Sequence, residues 1–413
     1  MKNVLDGVKV LDMCVAAAGP SCSRMLVDFG ATDIMVEPLE GQSTRYTAPH
    51  SFHFKCSGKK SIVCNLKTPE GHALFERLVR WADVFVSNYR TAALERLGLS
   101  YARLHEINPR LVYGHISGFG EVGPEKDAPG FDITAWWSKS GMIVDMAQKG
   151  SIVQVPYALG DFSAGQSLAL GICAGLYHRE RTGEGIEIST SLMASGIFLN
   201  YDAIIESQYG YQLPTTRKHA IRAMLNAYRC KDGEWITINA THHWDTSWPC
   251  ICKAIGREDL IERYTCNEDT MWDHAAEVIE LLDEGFAKLT QQEAYDALIA
   301  CGTISVEKVQ HSADVASDPQ AIANQFVYPW ADPSGKTIMH PATPVRIGDY
   351  EPAKISRGPG MGEHTEEIMA LLGYSEQEIL DYERRNIVKG LTQKVPASQE
   401  TNQTESERGD DVC

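Results

Sequence analysis

The chain has no surplus of positive charge: 38 lysines and arginines stand against 55 aspartates and glutamates, for a net charge of −17. Holding a phosphate backbone requires a basic footprint, so nucleic acid is excluded as the main partner, and any anionic ligand must meet local positive charge. Missing too is any charge-free apolar run near the ~20 residues that cross a bilayer. The N-terminal MKNVLDGVKVLDMCVAAAG has the outline of a signal peptide, but Asp6, Lys9 and Asp12 interrupt its apolar region. A cytoplasmic protein without membrane contact is expected.

Several motifs are absent or incomplete. The eleven cysteines form no small-domain framework and read as reduced thiols. Cys250 and Cys252 are one residue apart, and even with His242 and His243 nearby they lack zinc spacing, so no metal is expected. There is no GxSxG elbow, which argues against a serine hydrolase. SGKKS at 57–61 fails as a phosphate loop because His53 occupies the upstream glycine position and Lys60 replaces the Ser or Thr, so no ATP site is expected. GFGEVG at 118–123 fits GxGxxG and follows the strand-like RLVYGHIS. The next residues, PEKDAPGFD, form a loop where a dinucleotide site requires a helix N-terminus, so no NAD site is expected.

Enough apolar material is present, at 43% of residues, to fill two domains. VKVLDM, DIMVEP, SIVCNL, DVFVSN and RLVYGHIS alternate with helical patterns, the mark of βαβ units and a parallel sheet in an α/β fold. Over 68–82, Phe75, Leu78, Val79 and Ala82 share one helical face. Pro20 suits a helix start, and the small residues before it leave the first strand-to-helix turn open to close backbone approach. Residues 1–205 are assigned to a large domain. After them the texture changes: AYRCKDGEWITINA reads as a hairpin turning at Lys231-Asp232-Gly233, opening a smaller domain over 206–328. Residues 391–413 are polar and aperiodic, a disordered tail.

ALGDFSAGQSLALGICAGLYHRERTGEG carries the candidate for nucleophilic chemistry. Asp161 either caps the helix that follows or stands free in the turn before it. Ser163 and Gln166 make an S-x-x-Q capping box, which predicts a helix over 163–181 capped by Ser163 and leaves Asp161 free. The helix dipole is then expected to keep its carboxylate ionised, as a nucleophile requires.

LDGVKVLDMCVAAAGPSCSRMLVDFGATDIMVEP, KKSIVCNLKTPEG, ADVFVSNYRTAALERLGLSYARLHEINPRLVYGHISGFG, ALGDFSAG and GMGEHTEEI together resemble the family III CoA-transferases, the CaiB/BaiF family, from residue 4 to about 390. The subgroup most similar moves CoA between 2-hydroxyacids and their unsaturated acyl-CoA products in anaerobic amino-acid fermentation. The resemblance implies a Rossmann-like large domain to which residues 329–390 return, a small inserted domain, and two subunits interlocked as a homodimer. Acyl-CoA and a small carboxylic acid would be the substrates, with no metal, ATP or NAD. It gives Asp161 the role of catalytic carboxylate and places CoA against Val15, Ala16, Ala17, Cys64, Lys67, Asn88, Tyr89 and Arg96, all after strand ends. Pro38 replaces a basic residue that some members use. Asp132 matches a second family carboxylate and orients substrate or caps the helix that follows it. Phe131, Trp136, Trp137 and Tyr157 are an apolar pocket or plain core. An acyl-CoA racemase of the same fold would need a proton-carrying group where Phe131 stands. An inactive CoA-binding protein, or a transferase for carnitine, bile acid, oxalate or formate, is the remaining alternative.

Overall fold

The structure is a computed structural model and describes residues 3–155, 157–211, 213, 216–220, 222–241, 244–264, 273–350 and 354–390. His242, His243 and the tail at 391–413 lie outside the described residues. The described residues divide into two compact units, those within Met1–Ser140, Val155–Leu199 and Tyr328–Cys413 and those within Gly141–Gln154 and Asn200–Val327.

The first unit alternates strand and helix: β1 (Lys9–Met13), α1 (Ala18–Asp28), β2 (Thr32–Glu37), α2 (Pro49–Cys56), β3 (Lys60–Cys64), α3 (Pro69–Trp81), β4 (Val84–Ser87), α4 (Thr91–Arg96), β5 (Val112–Ser117), α5 (Leu159–Thr182) and β6 (Glu187–Ser191). The sheet runs β3-β2-β1-β4-β5-β6 with these strands parallel, and Val388–Lys389 adds an antiparallel edge beside β3. Helices on both faces bury β4 and β5 along their whole length, which is why VFVS and VYGHIS show no polar alternation. The order reverses between β1 and β4, where Val10 pairs with Val84 and Met13 with Ser87. Open sheets of this kind hold ligands beyond the strand ends at such a reversal.

The helices form for local reasons. Thr68 caps α3 by accepting the Gly71 N–H at 3.1 Å, and the face bearing Phe75, Leu78 and Val79 is buried. α1 starts at Ala18, two residues before Pro20, which still falls in the first turn where no N–H partner is needed. α1 and α5 cross so closely that a Cβ on Gly165 would come within 2.0 Å of the Ser21 hydroxyl. Lys59 of SGKKS turns inward and pairs with Asp12 at 2.7 Å, both fully buried, so this lysine is a core cation and not a phosphate ligand.

In the second unit Leu225–Arg229, Trp235–Asn239 and Ser305–Lys308 form an antiparallel sheet. The first hairpin turns at Gly233, whose φ of +90° suits glycine. Tyr228, Trp248 and Phe286 fill the core beneath it. Residues 141–154 join this unit, although the sequence pattern leaves them in the large domain. One expectation is corrected here: Cys250 and Cys301 form a disulfide, so the thiols are not all reduced. Fifty-one residues separate the pair in sequence, and only folding brings the helix Trp244–Ala254 beside the turn that carries Cys301. No helix among the described residues is long and apolar enough to cross a membrane.

Candidate active site

A cavity of about 380 Å³ opens at the reversal of the sheet, beyond the ends of β1, β4 and β5. Val15, Ala16 and Ala17 form one wall, Asn88 and Tyr89 a second, and Phe131 and Asp161 close it. The two turns are locked together. Asn88 donates from Nδ2 to the Val15 carbonyl at 2.8 Å, and its Oδ1 accepts the Val15 N–H at 2.8 Å. Ala16 adopts a left-handed φ of +60°, unusual for alanine, and the strain is held by this clamp. Five of the sequence candidates for CoA contact therefore converge with Asp161 and Phe131.

The helix carrying Asp161 departs from the sequence expectation. α5 begins at Leu159, four residues before Ser163, with Ala158 at a left-handed φ of +54° as its N-cap residue. The Ser163 hydroxyl donates to the Gly160 carbonyl at 2.9 Å and pairs with Ser195 at 2.9 Å, so it caps nothing. The cap comes from 29 residues upstream: Asp132 Oδ1 accepts the Asp161 N–H at 2.8 Å, and its Oδ2 accepts the Trp137 indole N–H at 3.1 Å. Gly160 is indispensable to that approach, since a Cβ there would lie 2.3 Å from Trp136 Cγ and 2.6 Å from Asp132 Oδ1.

No hydrogen bond ties the Asp161 carboxylate to the described residues, and it faces the cavity. Its pKa is pushed up to about 7, first by burial and then by the charge of Asp132, with the Lys55 cation opposing. The helix dipole does not keep it fully ionised, as the sequence had suggested; desolvation and a like charge outweigh it. Burial also raises Asp132, while the N–H groups of Asp161 and Gly160 and the Trp137 indole hold it down.

Lys55, on α2, gives no sequence signal of its role, lying within the mixed stretch FHFKCSG. It is 4% exposed, and its ammonium donates to the Ala16 carbonyl at 2.7 Å. Burial lowers its pKa, while Cys56 and Asp161 oppose that effect. It thus brings a buried cation to the turn that walls the cavity.

A second cavity, of about 390 Å³, lies beyond the ends of β2 and β3 and takes in Cys64, Lys67, Pro38 and Tyr89. Tyr89 lines both cavities. Arg96 lines neither and is exposed at the end of α4. Of the suggested aromatic wall, Phe131 stands at the cavity, 64% exposed, whereas Trp136 and Trp137 are core and Tyr157 is fully exposed away from any packing. GFGEVG is a loop with no helix behind it. Its first glycine crosses Gly130 so tightly that a Cβ on Gly118 would sit 2.8 Å from the Gly130 Cα. Among the described residues no group of three or more His, Cys, Asp or Glu could hold a metal ion.

Comparison with known proteins shows the family. The model of CoA-transferase family III matches residues 5–365. The chain is 33% identical over 400 residues to (R)-2-hydroxy-4-methylpentanoate CoA-transferase of Clostridioides difficile, covering 94% of this chain and 100% of that one. It is 32% identical over 399 residues to cinnamoyl-CoA:phenyllactate CoA-transferase of Clostridium sporogenes, covering 92% and 96%. A CaiB/BaiF family protein from Brucella suis superposes with a TM-score of 0.79 at 28% identity, over 90% of this chain and 100% of that one. With a Rossmann-like sheet, a carboxylate at its reversal and a family match across most of its length, the chain belongs to CoA-transferase family III.

Proposed function

We propose that this CoA-transferase moves CoA from an enoyl- or aryl-acryloyl-CoA to a 2-hydroxy carboxylic acid, with Asp161 as nucleophile. The observation that carries the reading is the unbonded Asp161 carboxylate at the cavity, its backbone fixed by Asp132. An Asp161 oxygen attacks the thioester carbonyl, and the C–S bond breaks to give a mixed anhydride and CoA thiolate. The thiolate attacks the Asp161 carbonyl carbon, releasing the donor acid and leaving an aspartyl-CoA thioester. The acceptor carboxylate then displaces the thiolate from Asp161, and the thiolate takes the acceptor acyl group from the second anhydride. One thioester replaces another of similar energy, so neither ATP nor a metal is invoked. The ionised carboxylate is required at the start, and Lys55 favours that form while Asp132 opposes it.

Val15, Ala16, Ala17, Asn88 and Tyr89 are assigned to the thioester end of CoA, and Cys64 with Lys67 to the part in the second cavity. Arg96 lies outside both cavities and is assigned only to their periphery. Phe131 offers an apolar surface to an aromatic or branched side chain, and Asp132 acts by holding Asp161. The exposed Leu170, Tyr177 and Phe198 suit burial against a second copy in the interlocked homodimer. The relatives named for 2-hydroxy-4-methylpentanoate and phenyllactate support the substrate class. An acceptor screen with cinnamoyl-CoA as donor tests it: phenyllactate and branched 2-hydroxyacids should be preferred to oxalate and formate. Preference for oxalate would refute the substrate class, and inversion of a chiral 2-methylacyl-CoA without any acceptor would refute the reaction.

A further inference from the structure

The fourth residue of GFGEVG ties its loop to the wall shared by the two cavities. His115 sits on β5, 2% exposed. Its Nδ1 lies 3.0 Å from Glu121 Oε1 and its Nε2 lies 2.8 Å from the Tyr89 carbonyl oxygen. The ring therefore bridges the Glu121 carboxyl group and the Tyr89 carbonyl, with one hydrogen-bond contact on each nitrogen. The Tyr89 N–H is in turn held by the Ser87 hydroxyl at 3.2 Å, so both backbone polar groups of Tyr89 are fixed. The next residue back, Asn88, is the one that clamps the Val15 turn. Three loops are thereby joined into one support: 118–121, 87–89 and the turn after β1. Glu187 and Glu95 line the same small cavity of about 250 Å³ as His115 and Glu121, adding negative charge beside the ring.

We propose that Glu121 and His115 are positioning residues for acyl-CoA: through the imidazole ring they hold the Tyr89 main chain, and with it the wall between the two cavities, in the shape that accepts CoA. This rests on the assignment of CoA to those cavities. Neither side chain belongs to the wall around Asp161, so their loss should weaken binding and spare the chemical steps.

The Glu121 side chain is 36% exposed, so Glu121→Ala leaves the core intact. Coenzyme A is titrated calorimetrically into wild type, Glu121→Ala, Glu121→Gln, His115→Gln and the Ala/Gln double variant, and steady-state rates are measured with cinnamoyl-CoA. Glu121→Ala should weaken CoA binding about fivefold, the loss one oriented hydrogen bond carries, and raise KM in parallel. The same variant should keep kcat within about twofold and its unfolding midpoint unchanged. Glu121→Gln retains an acceptor and should recover most of the affinity. In the His115→Gln background, Glu121→Ala should have no further effect, because its contact is already gone. Unchanged affinity in Glu121→Ala, a fall in kcat with affinity unchanged, or additive effects of the two substitutions overturns the proposal alone. A wild type that binds no coenzyme A overturns the cofactor assignment and this proposal with it.

Discussion

Replacing Asp161 with asparagine should destroy CoA transfer and, at alkaline pH, strengthen the fold. The carboxyl is held at about 7 against an ordinary 3.8, a rise caused by burial and by Asp132. Between those two values the folded chain keeps a proton that the unfolded chain releases. The group therefore costs no stability below about pH 4, and its cost grows as pH rises toward 7. About three pH units at ~1.4 kcal/mol each set a ceiling near 4 kcal/mol above pH 7. Access to the cavity and the loss of an anion beside Lys55 reduce the expected gain of Asp161→Asn to about 1–3 kcal/mol at pH 8. Urea unfolding of both proteins at pH 4.5 and pH 8 measures this, with the difference between the two pH values isolating the titration from any change in packing. CoA exchange should be undetectable, because a neutral amide cannot attack the thioester. A variant no more stable than wild type at pH 8, or equally stabilised at both pH values, would refute the electrostatic account of this site.

The same titration predicts an acid limb in kcat/KM with a midpoint near pH 7, leaving about a tenth of the maximal rate at pH 6. Lys55→Met should move that limb to higher pH and Lys55→Arg should restore it; a limb that stays in place would show that Lys55 does not act on Asp161. Gly160→Ala forces its methyl against Trp136 and Asp132, so it should cost about 1–3 kcal/mol and lower kcat by displacing Asp161. Wild-type stability and rate in that variant would mean the contact gives way freely.

Runs such as VFVS and VYGHIS, which lack the polar alternation of a half-exposed strand and are separated by helical patterns, are enough to specify a parallel sheet with both faces covered. The single-faced helix read over 68–82 was equally legible, because each depends on residues close in sequence. Asp161 stood out for the same reason, as an acidic residue at the start of a small-residue helix. What surrounds Asp161 was not local. Ser163 had the right neighbours for a cap, yet Asp132 took the role because Gly160 lets Trp136 pack against the helix start. Lys55 in FHFKCSG looks like any surface lysine until α2 delivers it to the Ala16 carbonyl. Cys250 and Cys301 looked like free thiols until folding set a helix beside the turn that carries Cys301. Periodicity and turn chemistry were determined by the sequence alone, since they act over a few residues. The ionisation of Asp161, the burial of Lys55 and the join between GFGEVG and Tyr89 were decided only by tertiary structure, because desolvation and hydrogen bonding depend on which distant segments the fold brings into contact.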